Sequence, residues 1–208
     1  MPNIEITNED NMQLMARYPD KYFDLAIVDP PYGLGNKLVD GGGTRKAKFD
    51  NNRESIKWDK IPDDNYFNEL FRVSKHQIVW GSNYFKMPQT RCNLIWDKMQ
   101  KFTGADFELA WTSFDKPSKA FRMSRIEAYS SGKIHPTQKP VELYKWILRM
   151  YASADKNKIL DTHLGSGSIA IACYDYGFDL TACELDKEYY DKAIERIKNH
   201  TSQQTLFL

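Results

Sequence analysis

Short apolar runs alternate along the chain with longer segments in which apolar residues recur every three or four positions. The short runs indicate buried strands and the longer segments indicate helices with one apolar face. Strands are predicted at Ile4–Thr7, Leu25–Val28, Gln77–Trp80, Leu94–Trp96, Glu108–Trp111, Lys158–Asp161 and Phe178–Cys183. Helices are predicted at Glu9–Tyr18, Ile61–Val73, Pro140–Tyr151 and Lys187–Asn199, with one more opening at the GSGS turn and running through Tyr174. This alternation predicts an α/β fold with a mostly parallel central sheet flanked by helices.

Length and composition limit the class of protein. The 208 residues, 41% of them hydrophobic, suffice for one core, so we expect a single domain spanning residues 1–208. The formal charge of +1 gives no overall attraction to a polyanion, so any contact with nucleic acid must come from local patches. The first residues lack the pattern of a signal peptide, and no apolar stretch is long enough to span a bilayer. We therefore expect a cytoplasmic protein without membrane association.

The cysteine and histidine spacings do not match a disulfide framework or a zinc site. Cys92, Cys173 and Cys183 are an odd number with irregular spacing, which favours buried core thiols in a reducing compartment. His135 and His163 lack the spacing of zinc ligands, so no metal is expected.

A polar stretch rich in glycine, asparagine and charge interrupts the regular pattern at about residues 33–58. Its composition predicts a mobile loop, and so long a loop in a small domain often has a function. Phosphate contacts are predicted for four basic residues, and a purely solvated loop is an equally good interpretation. These four residues are Arg45, Lys46, Lys48 and Arg53.

The region at about residues 93–131 is a possible target-recognition insertion. Lys116, Lys119, Arg122 and Arg125 recur here with Phe114 and Phe121 between them. Basic residues interleaved with aromatic rings could line a groove for bases and phosphates. The same pattern is equally consistent with a solvated face over the edge of the core.

The C-terminal quarter reads as a βαβα unit with a glycine-containing turn after its first strand. Such a turn cradles a nucleotide-like ligand, and an acidic residue about 20 positions later binds the ribose hydroxyls. Gly165 and Gly167 would allow close approach of the backbone, and Glu184 has the position of the ribose acid. The third glycine of a dinucleotide fingerprint is absent and Ser168 follows Gly167. This favours a ligand with ribose and no diphosphate, such as S-adenosylmethionine, over NAD.

A second candidate motif, Asp29-Pro30-Pro31-Tyr32, directly follows a buried strand. Two prolines remove two ladder donors and end the strand. Taken alone, the motif could be a turn in which Asp29 caps the backbone and Tyr32 packs at an edge. Both this loop and the glycine loop would lie at carboxyl ends of strands, where open α/β sheets bind ligands. We therefore expect the two loops to meet.

Three segments together, LAIVDPPYG, DTHLGSGS and HPTQKP, resemble the amino-methyltransferases of nucleic acids. The signature of that family is an Asp/Asn/Ser-Pro-Pro-aromatic tetrapeptide after a buried strand. The tetrapeptide comes first and the cofactor loop last, an order that resembles the beta group, to which restriction–modification, phage and solitary enzymes belong. The resemblance implies a Rossmann-like methyltransferase fold with S-adenosyl-L-methionine as cofactor.

The resemblance also implies how the tetrapeptide acts. Asp29 and the carbonyl of Pro30 would accept both hydrogens of an exocyclic amine, so that the nitrogen lone pair points at the methyl group. Pro31 helps to stiffen the loop, and Tyr32 would stack on a base flipped out of the duplex. Transfer would be a direct in-line displacement without a metal or a covalent enzyme intermediate.

Cofactor contacts are implied for nine residues: Asp10, Thr137, Lys139, Asp161, His163, Gly165, Gly167, Ser168 and Glu184. Asp161 would anchor the loop, Asp10 would contact the adenine of the donor, and Thr137 with Lys139 would hold the methionine carboxylate. Alternatively, Asp10 is a helix cap and Lys139 an ordinary surface lysine. His163 replaces a residue that is more often aromatic or small in the family.

The expected reaction is methylation of the N6 amine of adenine at a short site in duplex DNA. Adenine is favoured because cytosine enzymes of this type more often begin the tetrapeptide with serine. Methylation of N4 of cytosine, an RNA substrate, an NAD-dependent oxidoreductase and a non-catalytic partner subunit of the same fold remain alternatives. A chain this short also suggests a possible homodimer.

Overall fold

The computed structural model describes residues 1–35, 59–99, 105–130, 132–152 and 158–205. Eight strands lie in this part of the chain and form one sheet. The strands are β1 Ile4–Thr7, β2 Phe23–Val28, β3 Ser74–Trp80, β4 Asn93–Asp97, β5 Phe107–Thr112, β6 Lys119–Arg122, β7 Lys158–Asp161 and β8 Asp179–Cys183. The helices are α1 Asn11–Ala16, α2 Asp64–Val73, α3 Arg125–Ala128, α4 Val141–Tyr151, α5 Ser168–Tyr176 and α6 Lys187–Thr205.

The strand order across the sheet is β1-β8-β7-β2-β3-β5-β4-β6. The first five strands in this order run parallel to one another. β5 is antiparallel to both β3 and β4, and β4 is parallel to β6. All strands except β5 therefore point the same way, and their carboxyl ends share one edge of the sheet. The α/β prediction with a mostly parallel sheet is confirmed.

Helices cover both faces of the sheet. On β2, Leu25 and Ile27 pack into the core cluster that contains α4 and α5, whereas Ala26 and Val28 pack into the cluster that contains α1 and α2. A parallel strand buried on both faces needs apolar residues at consecutive positions, which explains the continuous run that ends at Val28.

Capping residues explain why some helices differ from the predicted ranges. α2 begins at Asp64 rather than Ile61, because the Asp63 side chain accepts the N–H of Tyr66 at 3.1 Å and Pro62 precedes this cap. The predictions did not contain β6 or α3, which are only four residues long and mostly exposed.

The described residues of the region at about 93–131 include three strands of the central sheet. Their strands β4, β5 and β6 extend the central sheet beyond β3, with Trp80 of β3 opposite Ala110 of β5. A role of this region in target recognition stays a prediction.

The three cysteines are buried and unpaired, which confirms their prediction as core thiols. Within the described ranges, no cluster of three or more His, Cys, Asp or Glu residues could hold a metal ion. No helix in the same ranges is long and apolar enough to cross a bilayer.

Candidate active site

The two predicted loops meet at the carboxyl edge of the sheet. β2 and β7 are adjacent, with Leu25 opposite Ile159, so Asp29 and Asp161 follow the same edge. A cavity of about 390 Å³ opens there, a volume within the usual range of ligand pockets. The whole tetrapeptide lines it together with seven predicted cofactor residues: Asp10, Thr137, Lys139, His163, Gly165, Ser168 and Glu184. Asp161 and Gly167, also predicted to bind the cofactor, do not line the cavity but support the loop that does.

The Asp29 carboxylate is held at both oxygens. Its Oδ1 accepts a hydrogen bond from the Tyr32 hydroxyl, and its Oδ2 accepts one from the Lys139 ammonium group. Its side chain is 13% exposed. Burial raises the pKa of Asp29, while the charge of Lys139 and the two hydrogen bonds act in the opposite direction.

The Tyr32 ring is fixed by two groups that were not predicted. It stacks on Tyr84 with ring centroids 4.8 Å apart, and a Cβ added to Gly81 would lie 2.0 Å from its Cε1. Gly81 has φ +71°, directly after β3, so both its conformation and its contact favour glycine. Stacking of Tyr32 on a target base stays a prediction. A glycine following a buried strand at this edge is the signal that could have revealed the contact.

Lys139 lies against the catalytic loop. It forms an ion pair with Asp29, and its Nζ is 3.1 Å from Oε2 of Glu108. Its side chain is 1% exposed, so the alternative of an ordinary surface lysine is wrong. These ion pairs also argue against its predicted role as the holder of the methionine carboxylate, because its charge is already shared by two carboxylates.

Glu108 is a charged residue that sequence reasoning did not connect with the site. It stands in β5 and also pairs with Lys98, with 3.0 Å between Nζ and Oε1. Burial raises its pKa, but the two lysines oppose this more strongly and lower the pKa of Glu108 to about 2.

The cofactor loop is shaped mainly by its backbone. The Asp161 side chain accepts the N–H of His163 at 3.0 Å, which anchors the start of the loop as predicted. Burial raises the pKa of Asp161 to about 8. Gly167 stands at the N-cap of α5 with φ +73°, where a Cβ would come 3.0 Å from Ile197 of α6. This glycine therefore permits close packing of α5 on α6.

Glu184 lies directly after β8, as predicted for the residue that binds ribose hydroxyls. One of its oxygens accepts the N–H of Gly165 at 2.8 Å, and the other accepts the N–H of Asp186 at 2.9 Å. These bonds orient the carboxylate at the wall of the cavity.

Asp10 also lines the cavity and caps a helix. Its side chain accepts the N–H of Met12 at 2.8 Å at the start of α1. The helix-cap interpretation is therefore confirmed, and its contact with a cofactor stays a prediction.

The two histidines of the cavity wall are neutral at physiological pH. Burial lowers the pKa of His135 and of His163 to about 3. The His163 ring lies 3.1 Å from the amide nitrogen of Asn11 and 2.9 Å from the hydroxyl of Thr162. Neither imidazole therefore adds positive charge to the cavity.

The predicted nucleic-acid-binding residues that the structure describes, Lys116, Lys119 and Arg122, are not brought together by the fold. Arg45, Lys46, Lys48 and Arg53 lie outside the described residues. Lys116 lies over the rings of Phe114 and Tyr151, and Phe114 stacks on His76. This group lies near the amino end of β3, the sheet edge opposite Asp29.

The remaining predicted groove residues are divided between the edge strand and the core. Lys119 opens β6 opposite Leu94, and Arg122 closes it opposite Asp97, to which it is ion-paired at 3.5 Å. Phe121 packs against Trp146. Of the predicted Lys116, Lys119 and Arg122, Arg122 alone stands at the edge that carries the cavity. In the part of the chain that the structure describes, these residues and the two phenylalanines do not form one continuous groove, and their role in nucleic-acid binding stays a prediction.

Comparison with known sequences gives a family match in the second half of the chain. Residues 107–195 match a family model described as DNA methylase, a range that includes Glu108, Lys139 and the glycine loop. The chain is 30% identical over 82 residues to the type II methyltransferase M.HpaI of Haemophilus parainfluenzae. This alignment covers 39% of the chain and only 26% of that relative.

Solved structures give a match over nearly the whole chain. PvuII DNA methyltransferase, named as cytosine-N4-specific, superposes with a TM-score of 0.62 at 14% identity, covering 98% of this chain and 93% of that one. M1.HpyAVI in complex with SAM superposes with a TM-score of 0.58 at 18% identity, covering 93% and 98%. At these identities, the structures establish the fold of S-adenosylmethionine-dependent methyltransferases. Residues 107–195 therefore resemble the DNA methylase family, and the chain shares its fold with these solved methyltransferases.

Proposed function

We propose that the chain transfers a methyl group from S-adenosyl-L-methionine to the N6 amine of adenine in duplex DNA. The observation that carries the proposal is that Asp29 and the glycine loop line the same cavity. An electrophilic donor and an exocyclic amine could then meet at one carboxylate.

The lining of the cavity suits S-adenosylmethionine. Its charged residues are mostly acidic, its two histidines are neutral, and a carboxylate stands at the end of β8 where a ribose is bound in such units. Acidic lining suits a ligand with positive charge and opposes the diphosphate of NAD. The charged lining residues are the acids Glu9, Asp10, Asp29, Asp59, Asp63 and Glu184 and the bases Lys60 and Lys139. When bound, S-adenosylmethionine supplies a methyl group on a sulfonium ion.

The catalytic loop would activate a weak nucleophile. An exocyclic amine is weak because its lone pair is delocalised into the ring, and acceptance of both its hydrogens favours a pyramidal nitrogen. The Asp29 carboxylate and the carbonyl of Pro30 are the acceptors in this loop. Each carboxylate oxygen has two acceptor sites, so Asp29 can accept an amine hydrogen while it keeps Tyr32 and Lys139.

The surplus proton of the methylated amine also has an acceptor in Asp29. Once the nitrogen bonds to the methyl group it carries a positive charge, which is removed when one N–H proton moves to a base. Burial raises the pKa of the Asp29 carboxyl above its ordinary value, which makes it a better base than an exposed aspartate.

Adenine is the proposed base because the tetrapeptide begins with aspartate, which the family resemblance associates with adenine more often than with cytosine. The PvuII enzyme, named as cytosine-N4-specific, shares 14% identity with this chain and supports the fold alone. A base within a duplex must leave the stack to reach Asp29, so we propose base flipping.

The test is transfer of radiolabelled methyl groups from S-adenosylmethionine to unmethylated duplex DNA and to RNA, followed by analysis of the labelled nucleosides. The wild type is compared with Asp29→Ala and with Asp24→Ala, a matched variant in the same strand that does not line the cavity. We expect label in N6-methyladenine that disappears only with Asp29→Ala. Label in N4-methylcytosine would mean that the target base is cytosine, while the proposed mechanism of transfer would still hold. Donor binding without any transfer would contradict the proposal and favour a non-catalytic partner subunit.

A further inference from the structure

Four side chains of alternating charge form a row of ion pairs that leads away from the cavity. Asp29 pairs with Lys139, Lys139 pairs with Glu108 at 3.1 Å, and Glu108 pairs with Lys98 at 3.0 Å. The side chains of Asp29, Lys139, Glu108 and Lys98 are 13%, 1%, 24% and 11% exposed. This row of ion pairs therefore joins the Asp29 carboxylate to two residues of the β4–β5 region.

Stability alone does not explain this arrangement. The free energy lost when two charges leave water is usually about as large as the free energy gained from their attraction. Apolar residues of similar size would therefore stabilise the core equally well. Lys139 is further held by the ring of Trp80, whose centroid is 5.2 Å from Nζ. Glu108 and Lys98 do not line the cavity and cannot be ligands there.

The charges on either side of Lys139 act on Asp29 in opposite directions. The ammonium group of Lys139 favours the ionised form of Asp29, whereas the carboxylate of Glu108 disfavours it. Burial lowers the pKa of Lys139, but its two carboxylates oppose this more strongly and raise the pKa above its usual value. Lys139 therefore stays charged while Asp29 exchanges hydrogen bonds.

We propose that Lys139 and Glu108 are positioning residues for methyl transfer, which set the charge and orientation of the Asp29 carboxylate, and that Lys139 does not bind the donor. This inference rests on the proposed function, because it assigns these residues to the same reaction. Lys139 holds one carboxylate oxygen so that the other can face the amine. Glu108 shares the lysine charge and leaves Asp29 basic enough to take the proton.

The other titratable groups around Asp29 do not have the same effect on its ionisation as Lys139 and Glu108. Tyr32, Tyr66, Tyr144 and Asp161 face the Asp29 carboxyl besides Lys139 and Glu108. Burial raises the pKa of each of the three tyrosines, and the pKa of Asp161 is about 8, so all four groups are neutral in acid. Lys98, Tyr129 and Lys133 face Glu108 rather than Asp29.

The test is the pH profile of kcat/KM for methyl transfer in Lys139→Gln and Glu108→Gln. The acid limb of this profile reports the pKa of the essential base in the free enzyme. Loss of the lysine charge should move the limb to higher pH by about one unit, and loss of the glutamate charge should move it to lower pH. A purely structural role would not move the limb in opposite directions.

Matched variants separate the shift of the acid limb from a general loss of structure. Lys145→Gln removes a lysine from α4 that pairs with Asp175 at 2.9 Å and does not line the cavity, and it should leave the limb unchanged. The double variant Glu108→Gln/Lys139→Gln removes one charge of each sign, so the net charge of the four side chains does not change, and it should give an intermediate limb. It supplies the comparison if Lys139→Gln does not fold.

Donor binding is measured by calorimetry with S-adenosylmethionine on the same proteins. We expect Lys139→Gln to bind the donor within about threefold of the wild type while its kcat at neutral pH falls at least about tenfold. A large loss of donor affinity with kcat unchanged would overturn the inference and restore the carboxylate role of Lys139.

Carbon-detected NMR titration of the Asp29 carboxyl group, without donor or DNA, gives a readout that needs no activity. The Asp29 pKa should rise in Lys139→Gln and fall in Glu108→Gln. If the wild type transfers no methyl group, the proposed function fails while this titration still tests the control of Asp29. If the wild type is active and both variants titrate like it, the positioning role alone is wrong.

Discussion

Asp29 and Asp161 occupy equivalent places in the fold and have opposite surroundings. Each follows the apolar core of a buried parallel strand, and the two strands are neighbours in the sheet. Asp29 is paired with the Lys139 cation, whereas Asp161 accepts a backbone N–H and has a pKa raised to about 8 by burial. Position at the carboxyl edge is thus common to both residues, but only Asp29 is ion-paired with a neighbouring cation among the described residues.

The loops that contain or follow Asp29 and Asp161 are also held in place in different ways. The catalytic loop is held through side chains, by two prolines, the Tyr32 hydroxyl and the Lys139 ammonium group. The cofactor loop is held through its backbone, by Gly165 and Gly167 at positive φ. One loop holds a carboxylate at the cavity, and the glycine loop leaves space beside it.

The largest expected difference is in activity. Asp29→Asn should lose roughly 10²–10³-fold in methyl transfer, comparable with removal of one transition-state hydrogen-bonding group, because an amide oxygen can accept a hydrogen bond from the amine but cannot take up its proton. Asp161→Asn should lose less than about tenfold, since its amide oxygen can still accept the His163 N–H. Initial rates at saturating donor measure both effects. Equal losses would show that the charge difference between the two sites has no catalytic meaning.

Fixation of Tyr32 can be tested through Gly81→Ala. The added methyl group would lie 2.0 Å from the Tyr32 ring, so the ring must move away from its hydrogen bond to Asp29. We expect kcat to fall by about tenfold or more, with a loss of about 1 kcal/mol in the free energy of unfolding from the positive φ.

Gly177→Ala is the matched control for Gly81→Ala. Gly177 has φ +77°, close to the +71° of Gly81, and a Cβ at Gly177 would meet nothing within 4 Å. It should show only the part of the stability loss that comes from the positive φ, measured by urea unfolding, with full activity. A fully active Gly81→Ala would mean that Tyr32 need not be fixed for transfer.

The sheet and its catalytic edge could be predicted from sequence because their signals are local. The apolar run ending at Val28 and the glycines after Asp161 each define an element by neighbouring residues, and parallel topology then places both loops together. The edge strand β6 was missed because it is short and exposed, with no apolar alternation.

The row of ion pairs from Asp29 to Lys98 could not be predicted because its residues meet only in the folded protein. Asp29 and Lys139 are 110 positions apart, and nothing near either residue indicates the other. The same reason applies to Lys116 and Arg122, which look like one basic stripe in sequence. Lys116 precedes β6 and Arg122 ends it, so the two residues lie toward opposite edges of the sheet.

A further prediction concerns the pH dependence of stability in Asp161→Asn. The pKa of Asp161 is about 8 in the folded protein against an ordinary 3.8, so the folded state keeps a proton that the unfolded state has lost. The contribution of this residue to stability is therefore complete below pH 3.8 and is lost as the pH rises through 8. Asparagine does not titrate, so the variant should gain stability relative to the wild type between these pH values. Urea unfolding of both proteins at intervals from pH 4 to about 8.5 measures the difference, in which titration of His135 and His163 cancels because both proteins share it. Parallel curves would mean that Asp161 is ionised in the folded protein at neutral pH, and the contrast with Asp29 would then have to rest on hydrogen bonding alone.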